Sequence, residues 1–233
     1  MQFETIELSR EDKLAILTLN RPEKRNALSI QMRKEIDVCL GDLEKDSQLC
    51  AVIILGNGPI FCAGFDKSEF YNRDPEHLHA MKDSSIRYHR RLAEFPLPLI
   101  AGIHGPALGG GFDLAVLCDL RIAAPQATFS HPEIKFGAPA LFNPLKEIIG
   151  GGLARDLVLT GRAIDAQEAF RIGLVSEIVE ASAIKEACIK TANLIAQSPA
   201  STLRAIKKQI VGSFGGWDGH VATAESGGLF DFF

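Results

Sequence analysis

Apolar residues recur along this chain in two rhythms, and the rhythms alternate over most of its length. Short apolar runs bounded by polar or glycine residues occupy residues 15–19, 51–55 and 99–103. Runs of that length predict buried strands. Residues 5–8 predict a further strand, joined to the 15–19 strand by a polar turn around residues 9–13, and residues 120–123 and 128–130 predict two short ones. Between them the spacing becomes helical. Met32, Ile36, Cys39, Leu40 and Leu43 share one face of a predicted helix over residues 30–44, with Ser29 as its cap. Residues 76–95 predict a charged helix that Pro96 and Pro98 stop. Further helices are predicted from Phe112 to about residue 118, over 145–158 in spite of Gly150-Gly151-Gly152, over 166–172 with Gly173 at its end, and over 183–197 and 201–211, which Ser198-Pro199 separates. The repeated strand and helix pairing predicts an α/β core over residues 1–180 and a helical C-terminal part over 181–233.

Two glycine-centred runs about 40 residues apart stand out against this pattern. The first is Ile60-Phe61-Cys62-Ala63-Gly64-Phe65-Asp66 and the second is Gly105-Pro106-Ala107-Leu108-Gly109-Gly110-Gly111-Phe112-Asp113. Each follows a predicted buried strand, and the second opens a helix. Glycines at such turns free backbone N–H groups and let a ligand approach the main chain. Two turns facing one point could supply two N–H donors to one developing oxyanion.

Both runs, in this order and spacing, resemble the enoyl-CoA hydratase/isomerase (crotonase) family. Asn20-Arg21-Pro22-Glu23-Lys24-Arg25-Asn26-Ala27-Leu28 resembles that family's N-terminal signature. Cys118-Asp119-Leu120-Arg121-Ile122-Ala123 is similar to a further family segment, as is Leu159-Thr160-Gly161 with Ala166, Glu168-Ala169 and Gly173-Leu174-Val175. The resemblance runs from about Phe3 to about Glu225. It implies a spiral of ββα turns, a helical tail used for contacts in a homotrimer or a dimer of trimers, and an acyl-CoA thioester as substrate, with coenzyme A part of the substrate and no separate cofactor. Against the length usual in that family the C-terminal part reads as shortened by roughly one helix.

The resemblance also implies site residues. Phe65 and Gly110 fall where the family places its backbone oxyanion hole. Glu133, in Ser130-His131-Pro132-Glu133-Ile134, falls on a catalytic glutamate, and Asp113 on the second acidic position. Two carboxylates flanking the Cα–Cβ bond of a thioester suit proton transfer, one holding water while its partner handles the Cα proton. The residue types assign the Cα proton to Glu133 and the water to Asp113. Hydratases of the family carry Glu at both places; Asp113 is one methylene shorter and reads equally as a first-turn residue facing the helix dipole. Leu141 stands where dienoyl-CoA isomerases and aryl-CoA dehalogenases of the family carry an aspartate, which argues against those two reactions. Lys24, Arg25, Ala27, Ala63, Asp66 and Lys67 form the expected coenzyme A side, the cations suiting its phosphates; Lys24 and Arg25 read equally as a solvated turn. His104 and His131 could line the site or simply pack. His77, His79 and His89, with Tyr71, Arg87 and Arg90, read as a solvated helix face.

Composition narrows the partners. The chain has 233 residues, a formal net charge of −4 and no basic stripe, which argues against nucleic acid. No apolar run reaches the ~18 residues of a membrane span, and no signal peptide is visible at the start. Five scattered cysteines without metal-ligand spacing point to a reducing, cytoplasmic setting and to no metal. The reading that results is hydration of a 2-enoyl-CoA. The alternatives are double-bond isomerisation with Glu133 alone, and a CoA-ester-binding homologue without catalysis.

Overall fold

The computed structural model describes residues 2–216 and Asp218. Strands β1 (Ile6–Glu11) and β2 (Leu14–Leu19) form an antiparallel hairpin, followed by helix α1 (Ile30–Leu43), β3 (Ala51–Gly56), α2 (Pro75–Ala93) and β4 (Leu99–Ile103). Next come β5 (Ala107–Leu108), α3 (Gly110–Leu117), β6 (Leu120–Ala123) and β7 (Thr128–Ser130). After them run α4 (Phe142–Ile149), α5 (Gly151–Thr160), β8 (Ile164–Asp165), α6 (Ala166–Arg171), β9 (Glu177–Ile178), α7 (Ile184–Ile195) and α8 (Ala200–Ser213).

A six-stranded sheet has the order β1-β2-β3-β4-β6-β9, parallel from β2 onward. A three-stranded sheet, β5-β7-β8, stands beside it. The apolar runs are unbroken because both faces of the large sheet are covered. In β3, Ala51 and Ile53 join Ile100, Ile122, Ile184 and Cys188 on the α7 side, while Val52 and Ile54 point into the larger core with Ile36, Leu40, Tyr88 and Phe112. This alternation follows from the period-2 geometry of a strand. Parallel strands all end at one edge, so the loops after β3 and β4, which carry the two glycine runs, leave the sheet side by side.

The expected α/β class is the observed one, with differences at the margins. β1 continues to Glu11, and the polar turn shrinks to Asp12-Lys13. Its residues after Ile6 are exposed, so no apolar alternation signals them. The 145–158 helical region is two helices, α4 starting at Phe142 and α5 at Gly151, because Gly150 between them takes φ +77°. β5, β8 and β9 were not expected; two residues carry no periodicity. The segment around residues 226–232 lies outside the described residues.

Asn26 pins the loop that carries the first glycine run. It is buried, has φ +52°, and its side-chain amide donates to the carbonyls of Asn57 (2.8 Å), Ile60 (2.9 Å) and Phe61 (3.1 Å). Its Oδ1 accepts from the Arg21 N–H at 2.9 Å. Asn26→Ala would strand these groups, and its expected cost is about 1–3 kcal/mol. A urea unfolding curve with an unchanged midpoint would show that the loop needs no such pin.

Candidate active site

The two glycine turns touch. Cys62 N–H donates to Pro106 O at 3.2 Å and Leu108 N–H donates to Cys62 O at 2.9 Å, which knits the first run to β5. Gly64, at φ +87°, leaves no room for a side chain: a Cβ there would lie 2.7 Å from Leu108 O and 3.1 Å from Gly110 N. A Cβ on Gly111 would lie 2.3 Å from Cys62 O. Only glycine allows this approach. Around it Leu28 N–H donates to Gly64 O, and Asp66 N–H to Leu28 O. Among the described residues neither Phe65 N–H nor Gly110 N–H, the first residue of α3, donates to another backbone group. The Phe65 ring packs over Gly110, with the Arg33 guanidinium 4.8 Å from its centroid and His89 edge-on at 5.9 Å. His89 is therefore not part of a solvated face. It is buried, and burial lowers its pKa to about 3.

The acidic residues converge beside these turns. Asp113 lies in the first turn of α3, yet it is buried rather than turned to solvent. Glu133 sits in the 3-10 turn Pro132–Phe136, half-buried, with Oε2 2.9 Å from the position of a Cβ on Gly109. Between the carboxylates stands His131, buried and stacked on Phe112 at 4.6 Å. Its Nδ1–H donates to Glu133 Oε1 at 2.8 Å, and its Nε2 lies 3.7 Å from Asp113 Oδ1. Ligand-type atoms of Asp113, His131 and Glu133 all lie within 4.8 Å of one another. Burial pushes the Asp113 carboxyl up to about 7; His131 opposes that rise and Glu133 adds to it. Burial alone would lower the His131 pKa, but Asp113 and Glu133 together raise it. Asp113 Oδ1, His131 Nε2 and Glu133 Oε2 are buried without a hydrogen-bond partner. Unsatisfied buried polar atoms are costly, and three of them at one point mark a place built to receive something.

The coenzyme A candidates are gathered less tightly. Ala63 N–H donates to Arg25 O at 3.1 Å, and Arg21 donates to both Ala27 O (2.7 Å) and Asp66 (3.1 Å). Burial opposes it, but bonds from Ser68 and Arg21 hold Asp66 below the usual carboxylate range. Lys24 and Arg25 are exposed, and Lys67 sits over the Phe136 ring at 4.7 Å. Leu141 is buried and Phe142 partly so, at the start of α4. Sequence reasoning missed Arg21 and Arg33 as organisers; an Arg that bonds carbonyls leaves no periodic signal.

The profile of the enoyl-CoA hydratase/isomerase family matches residues 9–225. The chain is 36% identical to the short-chain-enoyl-CoA hydratase of Clostridium acetobutylicum, over 90% of this chain and 82% of that one. It is 34% identical to the 2,3-dehydroadipyl-CoA hydratase of Escherichia coli, over 87% and 80%. Among solved structures, the enoyl-CoA hydratase of Bacillus anthracis superposes with TM-score 0.84 at 31% identity, covering 89% of this chain and 82% of that one. An enoyl-CoA hydratase/isomerase of Xanthobacter autotrophicus Py2 gives 0.87 at 30%, covering 97% and 85%. The chain belongs to the enoyl-CoA hydratase/isomerase family and has the crotonase fold.

The glycine geometry yields a contrast of two neighbours. A Cβ on Gly110 meets only ordinary contacts at 3.5–3.6 Å, whereas one on Gly111 collides with backbone. Gly110→Ala is expected to fold with a melting temperature near wild type. Gly111→Ala is expected to lose about 1–3 kcal/mol. Equal melting temperatures in calorimetry would show that the two turns can part freely.

Proposed function

We propose that this enzyme hydrates a 2-enoyl-CoA, stabilising the thioester enolate in a hole formed by the Phe65 and Gly110 N–H groups. The observation that carries the reading is the convergence of two carboxylates, Asp113 and Glu133, beside the turns that hold these donors. Relatives named as hydratases support it. An isomerase needs one proton carrier, while adding water across a double bond uses two, so a second buried carboxylate favours hydration over isomerisation. It also favours catalysis over binding alone.

In the proposed reaction the thioester oxygen accepts from both N–H groups as charge moves onto it. Asp113, as carboxylate, holds water and takes one of its protons as the oxygen bonds to Cβ. Glu133, protonated on Oε2 while its Oε1 accepts from His131, gives the proton that arrives at Cα and is left as the carboxylate. Each N–H donor of such a hole is worth ~10²–10³ in rate. Lys24, Arg25, Ala27, Ala63, Asp66 and Lys67 would carry the coenzyme A part, with the Arg21 to Asp66 pair fixing the loop.

The chain is expected to assemble as a trimer or a dimer of trimers. Leu194 on α7 and Ile206 and Ile210 on α8 are exposed, and apolar side chains on outward helix faces suit a subunit contact. All five cysteines are free thiols, in keeping with a reducing cytoplasm, and among the described residues no helix is long and apolar enough to cross a membrane. Light scattering at micromolar concentration should give three or six chains per particle, and a monomer would sink the assembly.

The acid–base assignment is tested with crotonyl-CoA and a 3-enoyl-CoA side by side. Glu133→Gln is expected to cost ~10²–10⁴ in both rates, and Asp113→Asn to hurt hydration strongly and isomerisation little. Because the Asp113 carboxyl is raised to about 7, the hydration rate should climb as pH rises through that value, and Asp113→Asn should lack this limb. Glu133→Gln with both activities intact would show the assignment to be wrong. A wild type that binds these esters and turns over neither would put the binding-only reading ahead.

A further inference from the structure

We propose that His131 is the counterion of the acid–base pair: an imidazolium set between Asp113 and Glu133 that holds both side chains in their working orientation and keeps Asp113 a carboxylate. The proposal rests on the hydratase reading and adds a positioning residue to it.

The geometry carries it. The ring is pinned by stacking on Phe112 at 4.6 Å, and its backbone carbonyl is packed against Gly161, where a Cβ would come within 2.9 Å. So held, it turns one nitrogen to each carboxylate, Nδ1 to Glu133 at 2.8 Å and Nε2 toward Asp113 at 3.7 Å. The hydrogen bond to Oε1 fixes the Glu133 carboxylate, leaving Oε2 beside Gly109, at the oxyanion turn. Asp113 is buried with Glu133 close by, and its carboxylate form is costly there without a cation beside it. The charged and titratable groups that face the ring are Asp113 from α3 and Glu133 from its own 3-10 turn. Asp113 acts electrostatically on Cys62 and on Tyr88 of α2, but burial pushes the thiol up to about 12 and the phenol well above its usual value, so both stay neutral beside it. The shift directions agree with the geometry. Both carboxylates favour the imidazolium, and the imidazolium in turn opposes the rise of Asp113.

The sign of the consequence follows. Without the imidazolium, Asp113 loses what holds it down, and its carboxylate form is reached only at higher pH. Glutamine at 131 can still donate a hydrogen bond to Glu133 but carries no charge. His131→Gln is therefore expected to fold, to slow crotonyl-CoA hydration about tenfold or more at neutral pH, and to recover most of the rate above pH 8.5, since one pKa unit is a tenfold change in carboxylate fraction. A residue that only fills space would lower the rate equally at every pH.

The test pairs that pH profile with ¹⁵N NMR of the His131 ring in the ligand-free protein, in wild type, Asp113→Asn and Glu133→Gln. The expected result is an imidazolium that persists above the ordinary histidine range in wild type and is lost at lower pH in either variant. A ring already neutral at pH 6 in wild type, a titration that neither variant moves, or a His131→Gln profile parallel to wild type would overturn the proposal. So would stoichiometric binding of Zn²⁺ alone through the ring, read as a metal-bound nitrogen shift. Should the wild type hydrate no ester, the hydratase reading fails while the NMR titration still decides whether His131 is the counterion.

Discussion

The close approach of two backbones governs this structure. The loops after β3 and β4 meet with Gly64 against Leu108 and Gly110, and Gly111 against Cys62, at distances no side chain could share. Van der Waals repulsion rises so steeply that a single methyl at Gly111 would have to move a main chain. The parallel sheet makes the meeting possible, because β3 and β4 are neighbours that run the same way and so deliver both loops to one edge. The Cys62 and Leu108 hydrogen bonds then lock it. The Phe65 and Gly110 N–H groups, the start of α3 and the Asp113 carboxylate all take their positions from that contact.

Around the contact lie several buried polar side chains that neighbours satisfy. Asn26 collects three carbonyls, Arg33 collects Ser84, Leu28 O and Glu69, and Arg121 collects the carbonyls of Leu174, Cys118 and Ala115. Lys207 on α8 is buried against Asp119, whose other oxygen accepts from Leu99 N–H. These groups stiffen the loops they bond, since a lost partner leaves a charge or carbonyl stranded in low dielectric. The acid cluster departs from this rule. Three of its polar atoms have no partner, and it is there that water and ester are proposed to bind.

Asp113 is one methylene shorter than a glutamate, and His131 reaches toward it from the other side. The cluster is a carboxylate, imidazole, carboxylate row with the ring stacked on Phe112. The charge state of Asp113 then depends on its neighbours, the His131 ring opposing its rise and Glu133 adding to it.

Much of the architecture was legible in the residues. Buried parallel strands read as unbroken apolar runs, amphipathic helices as 3.6-residue spacing, and the two turns as glycine runs behind strands, because each of these signals is local. β1 beyond Ile6, the split at Gly150 and the two-residue strands escaped, since exposure, a single φ angle and a bridge of two residues leave no period. Of the site, the residues of both turns and both carboxylates could be named from motif position. What only the tertiary structure decided is which of them meet. His131 and Asp113 are 18 positions apart in sequence, and His89 was read as solvated from its charged helix. Whether a histidine is a surface group, a packed ring or an imidazolium between two acids depends on neighbours from other elements, and composition carries no record of them.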